Sequence, residues 1–246
     1  MEVHHPNHPT HKKSWKEYLI EFFMLFLAVF LGFLAENLRE NSVEKHRAKE
    51  YMRSLVEDLK ADTANIQYNI NLAGLMSEKI DSLVELINNG IKNNDMVTLY
   101  RLHYETGRVV LVAFEDRTSS QLKNSGSLRM VKNLKIADEI RAYWGTIKEV
   151  ESISDRYDEF GGKTADVAVQ IFNNKYYRRA NTNNSFKVVI DTLAKLANDD
   201  SKLLIQYCNR KRTQWNILNN YQPALMQSKA QATDLIAFIS HEYHFK

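Results

Sequence analysis

The stretch Glu17–Asn37 reads EYLIEFFMLFLAVFLGFLAEN, and its solvent decides the fold. Phe22 to Ala35 is 14 uninterrupted apolar residues, a length shared by membrane spans and by core helices. The flanks discriminate. Taking the run out to Tyr18 and Leu38 gives 21 positions. At 1.5 Å per residue that is about 31 Å of helix, the thickness of a hydrocarbon layer. Glu21, Glu36 and Asn37 are its polar residues, and all three lie near its ends. A core helix would carry a polar stripe, whereas Phe22–Ala35 is apolar on every side. Trp15 and Tyr18 stand where an interfacial aromatic belt belongs, with Lys12, Lys13 and Lys16 before them and Arg39 beyond. These features predict a transmembrane helix over residues 18–38. A cleaved leader would need a small-x-small site after the apolar run. The sequence AENLRENSVEKHRAKEY follows instead, charged and helix-forming, so the helix is expected to continue past the span.

Working outward, residues 1–17 form a His/Lys-rich tail and residues 39–246 a helical domain. Counting Lys and Arg alone favours a cytoplasmic flank after the span. Long domains, however, cross largely regardless of charge. The expected topology is therefore a cytoplasmic tail and a periplasmic domain in a bacterial inner membrane.

The chain has 246 residues, 44% hydrophobic and 26% charged, which is ordinary for a folded protein. Only 8 glycines and 3 prolines are present, too few for the many turns of a β-rich fold. A net charge of +3 spread over both signs argues against a nucleic-acid surface. Past the span, Met52, Leu55, Leu59, Ile66, Ile70, Ala73, Ile80, Leu83 and Ile87 recur at three, four or seven residues, predicting one helix from about Glu44 to Asn88. Further helices are expected from Met96, after Gly107 with Gly126 as cap, from Ile136 to the FGGK sequence, around Val167–Phe172, around Phe186–Leu196, and from the NDDS caps onward with a kink at Pro223. The run VVLVAF (109–114) is β-like, but no other strand offers it a partner, so it is read as buried helix. The fold class is all-α: an N-terminal transmembrane helix continuing into an elongated antiparallel helical bundle.

Several motifs resemble catalytic signatures and fail on spacing. GGKT at Gly161–Thr164 lacks the earlier glycine of a phosphate loop, Tyr157 occupying that position, and reads as a helix break. HEYH sets His241 and His244 three apart, one short of a zinc-protease pair, and reads as an exposed end. His4, His5, His8 and His11 lie in a tail that nothing pre-organises for metal. Cys208 is the single cysteine and reads as a small buried residue. Asp58, Asp62, Asp116 and Glu159 read as solvated helix-face carboxylates. No catalytic residue, metal or cofactor is assigned, and the protein is expected not to be an enzyme.

Two contact surfaces stand out. Glu21, Leu25, Ala28, Gly32 and Ala35 share one helix face, and the Ala28/Gly32 pair lets two helices approach closely. Tyr176, Tyr177, Arg178 and Arg179 concentrate hot-spot residue types in a predicted exposed loop.

The N-terminal stretch MEVHHPNHPTHKKSWKEYLIEFFMLFLAVFLGFLAENLRE resembles the start of a family of uncharacterised bacterial single-pass membrane proteins. YMRSLVEDLKADT and TSSQLKNSGSLRMVKNLKIADEIRAYW resemble later segments of that family. The likeness covers roughly the first 65 residues and about 30 in the middle. It implies the anchor and the helical domain, and makes Glu21, Leu122, Ser125, Gly126, Leu128 and Asn133 family features without roles. The expected function is protein–protein contact by a membrane-anchored bundle: a scaffold, a sensor-like protein or an accessory subunit of an envelope complex. The expected partners are the lipid bilayer and a homo-oligomer or larger membrane complex. The alternative is an ion- or solute-handling subunit using Glu21.

Overall fold

The structure is a computed structural model that describes residues 14–108, 110–182 and 185–245. Five α-helices carry most of it, in the order α1 (Trp15–Asn88), α2 (Met96–Glu105), α3 (Arg117–Asn124), α4 (Leu134–Ile171), the strands β1 (Tyr177–Thr182) and β2 (Ser185–Ile190), then α5 (Ser201–Tyr243). The chain is thus mainly α, with two strands among the described residues. It divides into two compact units, Met1–Glu50 and Tyr51–Lys246.

In the first unit, α1 presents its apolar side chains outward all round. Leu19, Ile20, Phe22 to Leu27, Val29, Phe30, Leu31, Phe33 and Leu34 are exposed. Phe22 stacks on Phe26, and Phe26 on Phe30, so the rings run in a ladder at i, i+4 spacing.

In the second unit, three long helices supply the core. Met52, Leu55, Val56 and Leu59 of α1 meet Ile136, Ile140 and Tyr143 of α4 and Ala232, Leu235 and Ile239 of α5. A second, larger cluster takes Ile66 to Ile87 of α1 with Val150, Val167 and Ile171 of α4 and Ile217, Leu218 and Leu225 of α5. The polar contacts between helices give their directions. Asp81 meets Arg212 and Trp215, the Ile70 carbonyl accepts from Gln222, and Gln67 accepts from Lys229. Rising numbers on α5 pair with falling numbers on α1, so the two run antiparallel. α4 and α5 are antiparallel too, Thr146 bonding Gln231 and Gly161 lying beside Gln214.

Capping follows sequence chemistry. Asp200 accepts from Lys202 N at 2.9 Å at the start of α5, and Asn133 accepts from Lys135 N at 3.1 Å at the start of α4. Gly126 adopts φ 65°, just past α3, the left-handed turn a glycine allows cheaply. Pro223 sits inside α5, which continues through it.

Four expectations are corrected. First, the described part of VVLVAF, Val110–Phe114, is neither helix nor strand. Its polar backbone is served by side chains from the helices. Ala113 O accepts from Asn65, Val110 O from Ser154, and Glu115 N donates to Asp62 at 2.8 Å. Val110 is its one buried residue, Leu111 and Ala113 being exposed, so the segment lies along the helices without needing a strand partner when its hydrogen bonds are met this way. Second, Asp58 and Asp62 are buried, not solvated. Asp58 accepts from Arg117 at 2.7 Å and from Thr118 N at 3.1 Å, capping α3 across the chain. Third, the FGGK sequence does not break the helix; α4 is continuous from Leu134 to Ile171, absorbing the predicted fourth segment. Two glycines cost about 2 kcal/mol of helix propensity, which packing on both sides outweighs. Fourth, Phe186–Leu196 is not helical. Residues up to Ile190 form β2, with Tyr177 opposite Ile190 and Thr182 opposite Ser185, as the β-branched Val188, Val189 and Ile190 favour.

Candidate functional site

The α1 face expected from the sequence to meet a second helix is open. Leu25, Ala28, Gly32 and Ala35 are exposed, and Glu21 is half-buried. A Cβ placed on Gly32 would meet nothing within 4 Å, leaving room for a second helix to approach.

Tyr176, Tyr177, Arg178 and Arg179 do not form a loop. Tyr176 closes a short 3-10 turn, and the other three open β1. The tyrosines turn towards the core. Tyr177 Oη donates to Tyr100 O at 3.2 Å, and both rings pack against Tyr100. Arg178 is exposed and pairs with Asp191, and Arg179 is exposed. Tyr100 is the centre of this corner: its hydroxyl donates to Lys195 O at 2.7 Å and accepts from Asn173 N at 2.9 Å. It ties α2 to both ends of the hairpin.

Next to that aromatic corner, α2, α4 and α5 enclose the most chemically loaded region of the second unit. His103 on α2 stacks on Phe172, centroids 3.9 Å apart and nearly parallel, and its Nδ1 lies 2.8 Å from the Tyr207 hydroxyl. Burial, with Lys211 nearby, pushes its pKa down to about 3, so the imidazole is neutral at physiological pH. One turn further along α5 lies Lys211, only 2% exposed. Its Nζ donates to Thr106 O at 2.9 Å, filling an orphan carbonyl at the end of α2. No carboxylate pairs with it among the described residues, and burial lowers its pKa to about 7.

A cavity of about 260 Å³ opens here, lined by residues that include His103, Arg108, Tyr157, Gly161, Lys211 and Gln214. Gln214 is 3% exposed and Tyr157 5%. The Gln214 Oε1 and the Tyr157 hydroxyl have no hydrogen-bond partner among the described residues, and burial pushes Tyr157 up to about 12. The pair that looked like a broken phosphate loop, Gly161–Gly162, forms one wall. Its lack of side chains leaves the surface of α4 bare where the cavity lies.

The sequence reading missed this region. His103, Tyr157, Lys211 and Gln214 come from three helices far apart in the chain, and a lysine in a helical pattern gives no sign of burial. The glycine pair was the one visible trace. Asp62, also buried, accepts from Tyr143 Oη at 2.7 Å, and desolvation holds its pKa above the usual carboxylate value. That bond and its bond to Glu115 N make it a clamp on the segment 110–115. Cys208 is buried in α5 as expected, and burial raises its thiol. His241 and His244 are exposed at the α5 end. His4, His5, His8 and His11 lie outside the described residues. Among the described residues no group of three or more His, Cys, Asp or Glu is placed to hold a metal. Comparison with protein-family models, with curated proteins and with solved structures finds no match to the chain.

Proposed function

We propose that the chain is a single-pass membrane protein of a bacterial envelope, whose helical unit is an elongated antiparallel bundle acting by contact with other proteins. The carrying observation is the exposed apolar segment of α1. Thirteen large apolar side chains between Leu19 and Leu34 are exposed. At about 1.5–3 kcal/mol each, keeping them in water costs on the order of 20–40 kcal/mol. That exceeds the whole stability of an ordinary domain, about 5–15 kcal/mol. Something apolar must cover the segment. Its length and its all-round apolar character fit lipid better than a protein groove, which would cover one face and leave a polar one.

In this reading residues 18–38 span the inner membrane, the tail of residues 1–17 is cytoplasmic and the bundle periplasmic. Any signal passes to a partner through the face of Glu21, Leu25, Ala28, Gly32 and Ala35. Arg178, Arg179 and the hairpin give the bundle a second contact surface. The support for contact over catalysis is that Asp58, Asp62 and Tyr100 spend their polar atoms on structural bonds.

Photo-crosslinking residues placed singly at Ala28, Gly32 and Phe30 in native membranes test the association face. Defined adducts are expected from Ala28 and Gly32 and not from Phe30, which points the other way on the helix. Equal labelling at all three would remove the face from the account. Glu21 carries the competing reading, because it is half-buried on a helix whose neighbours are exposed. An ion-handling role requires Glu21→Gln to abolish activity of an otherwise intact assembly; contact alone predicts little change.

A further inference from the structure

We propose that the cavity between α2, α4 and α5 binds a small organic monocarboxylate, with Lys211 as its counter-charge and Tyr157 and Gln214 as its polar contacts. The inference supplies a ligand for the sensing form of the reading above, and the binding itself does not depend on the membrane.

Three observations converge. Lys211 is buried without a carboxylate partner among the described residues, and its Nζ uses one of three donors, on Thr106 O. A buried cation left uncompensated is costly, and the cost falls if an anion enters beside it. Gln214 and Tyr157 line the same cavity and are each more than nine-tenths buried; the Tyr157 hydroxyl has no partner and can donate to a carboxylate, and the Gln214 Nε2, a donor, lies 3.5 Å from where a Gly161 Cβ would stand on the cavity wall. Native interiors rarely leave a buried hydroxyl such as that of Tyr157 unmet, so it marks where an acceptor on a ligand makes up the deficit. The space is real: about 260 Å³, bounded on one side by Gly161, Gly162, Ala165 and Ala168. Those small residues present a surface for the short carbon chain of the ligand.

Charge selects the class. Arg108 and Asp158 also line the cavity, are exposed, and offset one another. His103 is neutral. Lys211 is then the net charge, +1, which one carboxylate balances. A phosphate dianion would bring a second charge with only Asp158 and Arg108 to meet it.

The test uses the full chain in detergent micelles, titrated calorimetrically with acetate, butyrate, benzoate and inorganic phosphate at about pH 6.5 and again at about pH 8.5. At least one monocarboxylate should bind saturably, about tenfold tighter than phosphate. Its affinity should drop about tenfold at the higher pH, as Lys211 loses its proton; the titratable and charged groups beside it among the described residues include His103, Arg108, Tyr157, Asp158 and Tyr207. Lys211→Met and Gln214→Met should each weaken binding about tenfold or more. Gln214→Met removes a buried oxygen that has no partner, so it should fold at least as well as the parent without ligand. It keeps the test valid should Lys211→Met fail to fold. The proposal is overturned if no monocarboxylate binds saturably, if Gln214→Met binds as tightly as the parent, or if phosphate binds as well as the carboxylates. Sedimentation of the same variants with membranes reads the anchor separately, so either claim can fail alone.

Discussion

Acid acts on the helical unit through His103. Its folded pKa of about 3 lies below the free value of 6.5, so between those limits the unfolded chain takes up the proton and the folded one does not. Stability contributed by the neutral ring is complete above pH 6.5 and is lost as pH falls towards 3. Lys211, held at about 7 against a free value of 10.5, works in the same sense at higher pH: its contribution is complete above 10.5, is lost as pH falls towards 7 and changes little below. Asp62, raised by burial, works in the opposite sense, favouring the folded state as acid is added. Urea unfolding followed by circular dichroism should show a loss of about 1–2 kcal/mol from pH 7 to pH 5, allowing for the partial exposure of His103. His103→Gln should remove more than half of that loss; an unchanged slope would assign the acid sensitivity elsewhere. Tyr100→Phe leaves the Lys195 carbonyl and the Asn173 amide without their shared hydroxyl. It should cost about 1–3 kcal/mol in the same assay and loosen the hairpin first. A cost below about 0.5 kcal/mol would mean the hydroxyl is not the tie described. At this scale the sequence was legible for caps and for Cys208, whose roles are local. It was not legible for Asp58, Asp62 and Lys211. Whether a charged side chain on a helix is solvated depends on which segment lies over it, and Val110–Asp116 is remote in sequence.

Helix α1 beyond Glu44 and helix α5 were legible as elements because apolar residues recur at helical spacing in each, and α5 adds the Asp200 cap. The miscalled segments share a cause: local propensity pointed one way and tertiary contacts the other. Gly161 and Gly162 look like a stop, yet α4 packs on α1 and α5 on either side of them and runs through. Val110–Phe114 looks like a strand short of a partner, and polar side chains of α1 and α4 supply the missing bonds. The hairpin was hidden because NTNNS reads as loop and the Phe186–Ile190 run is too short to separate strand from helix. Gly126→Ala tests the α3 cap. With φ 65° a side chain there is strained, and the variant should lose about 1 kcal/mol with no loss of helix content. Stability equal to the parent would show that the left-handed turn is not required. Gly162 has a negative φ and open space around its Cβ, so Gly162→Ala should be neutral or stabilising by up to about 1 kcal/mol. A clear destabilisation there would mean the α4 surface needs the bare backbone for folding and not for the cavity.

At the scale of the molecule, the apolar face that covers nothing inside the chain sets the account. The second unit buries its large aliphatic residues in two clusters along three helices, while the first unit buries none of its apolar run. That contrast was already present in the amino-acid order of Glu17–Asn37, since fourteen apolar residues without a polar stripe leave no face for water. The cavity beside Lys211 had no comparable signature, being assembled from residues 103, 157, 211 and 214 by folding alone. Expression of the full-length chain in bacteria, followed by isolation of membranes and an alkaline carbonate wash, measures the central claim. The protein should remain in the membrane pellet and be released only by detergent. Recovery in the carbonate supernatant, as a folded chain with residues 18–38 shielded from protease by protein, would contradict it.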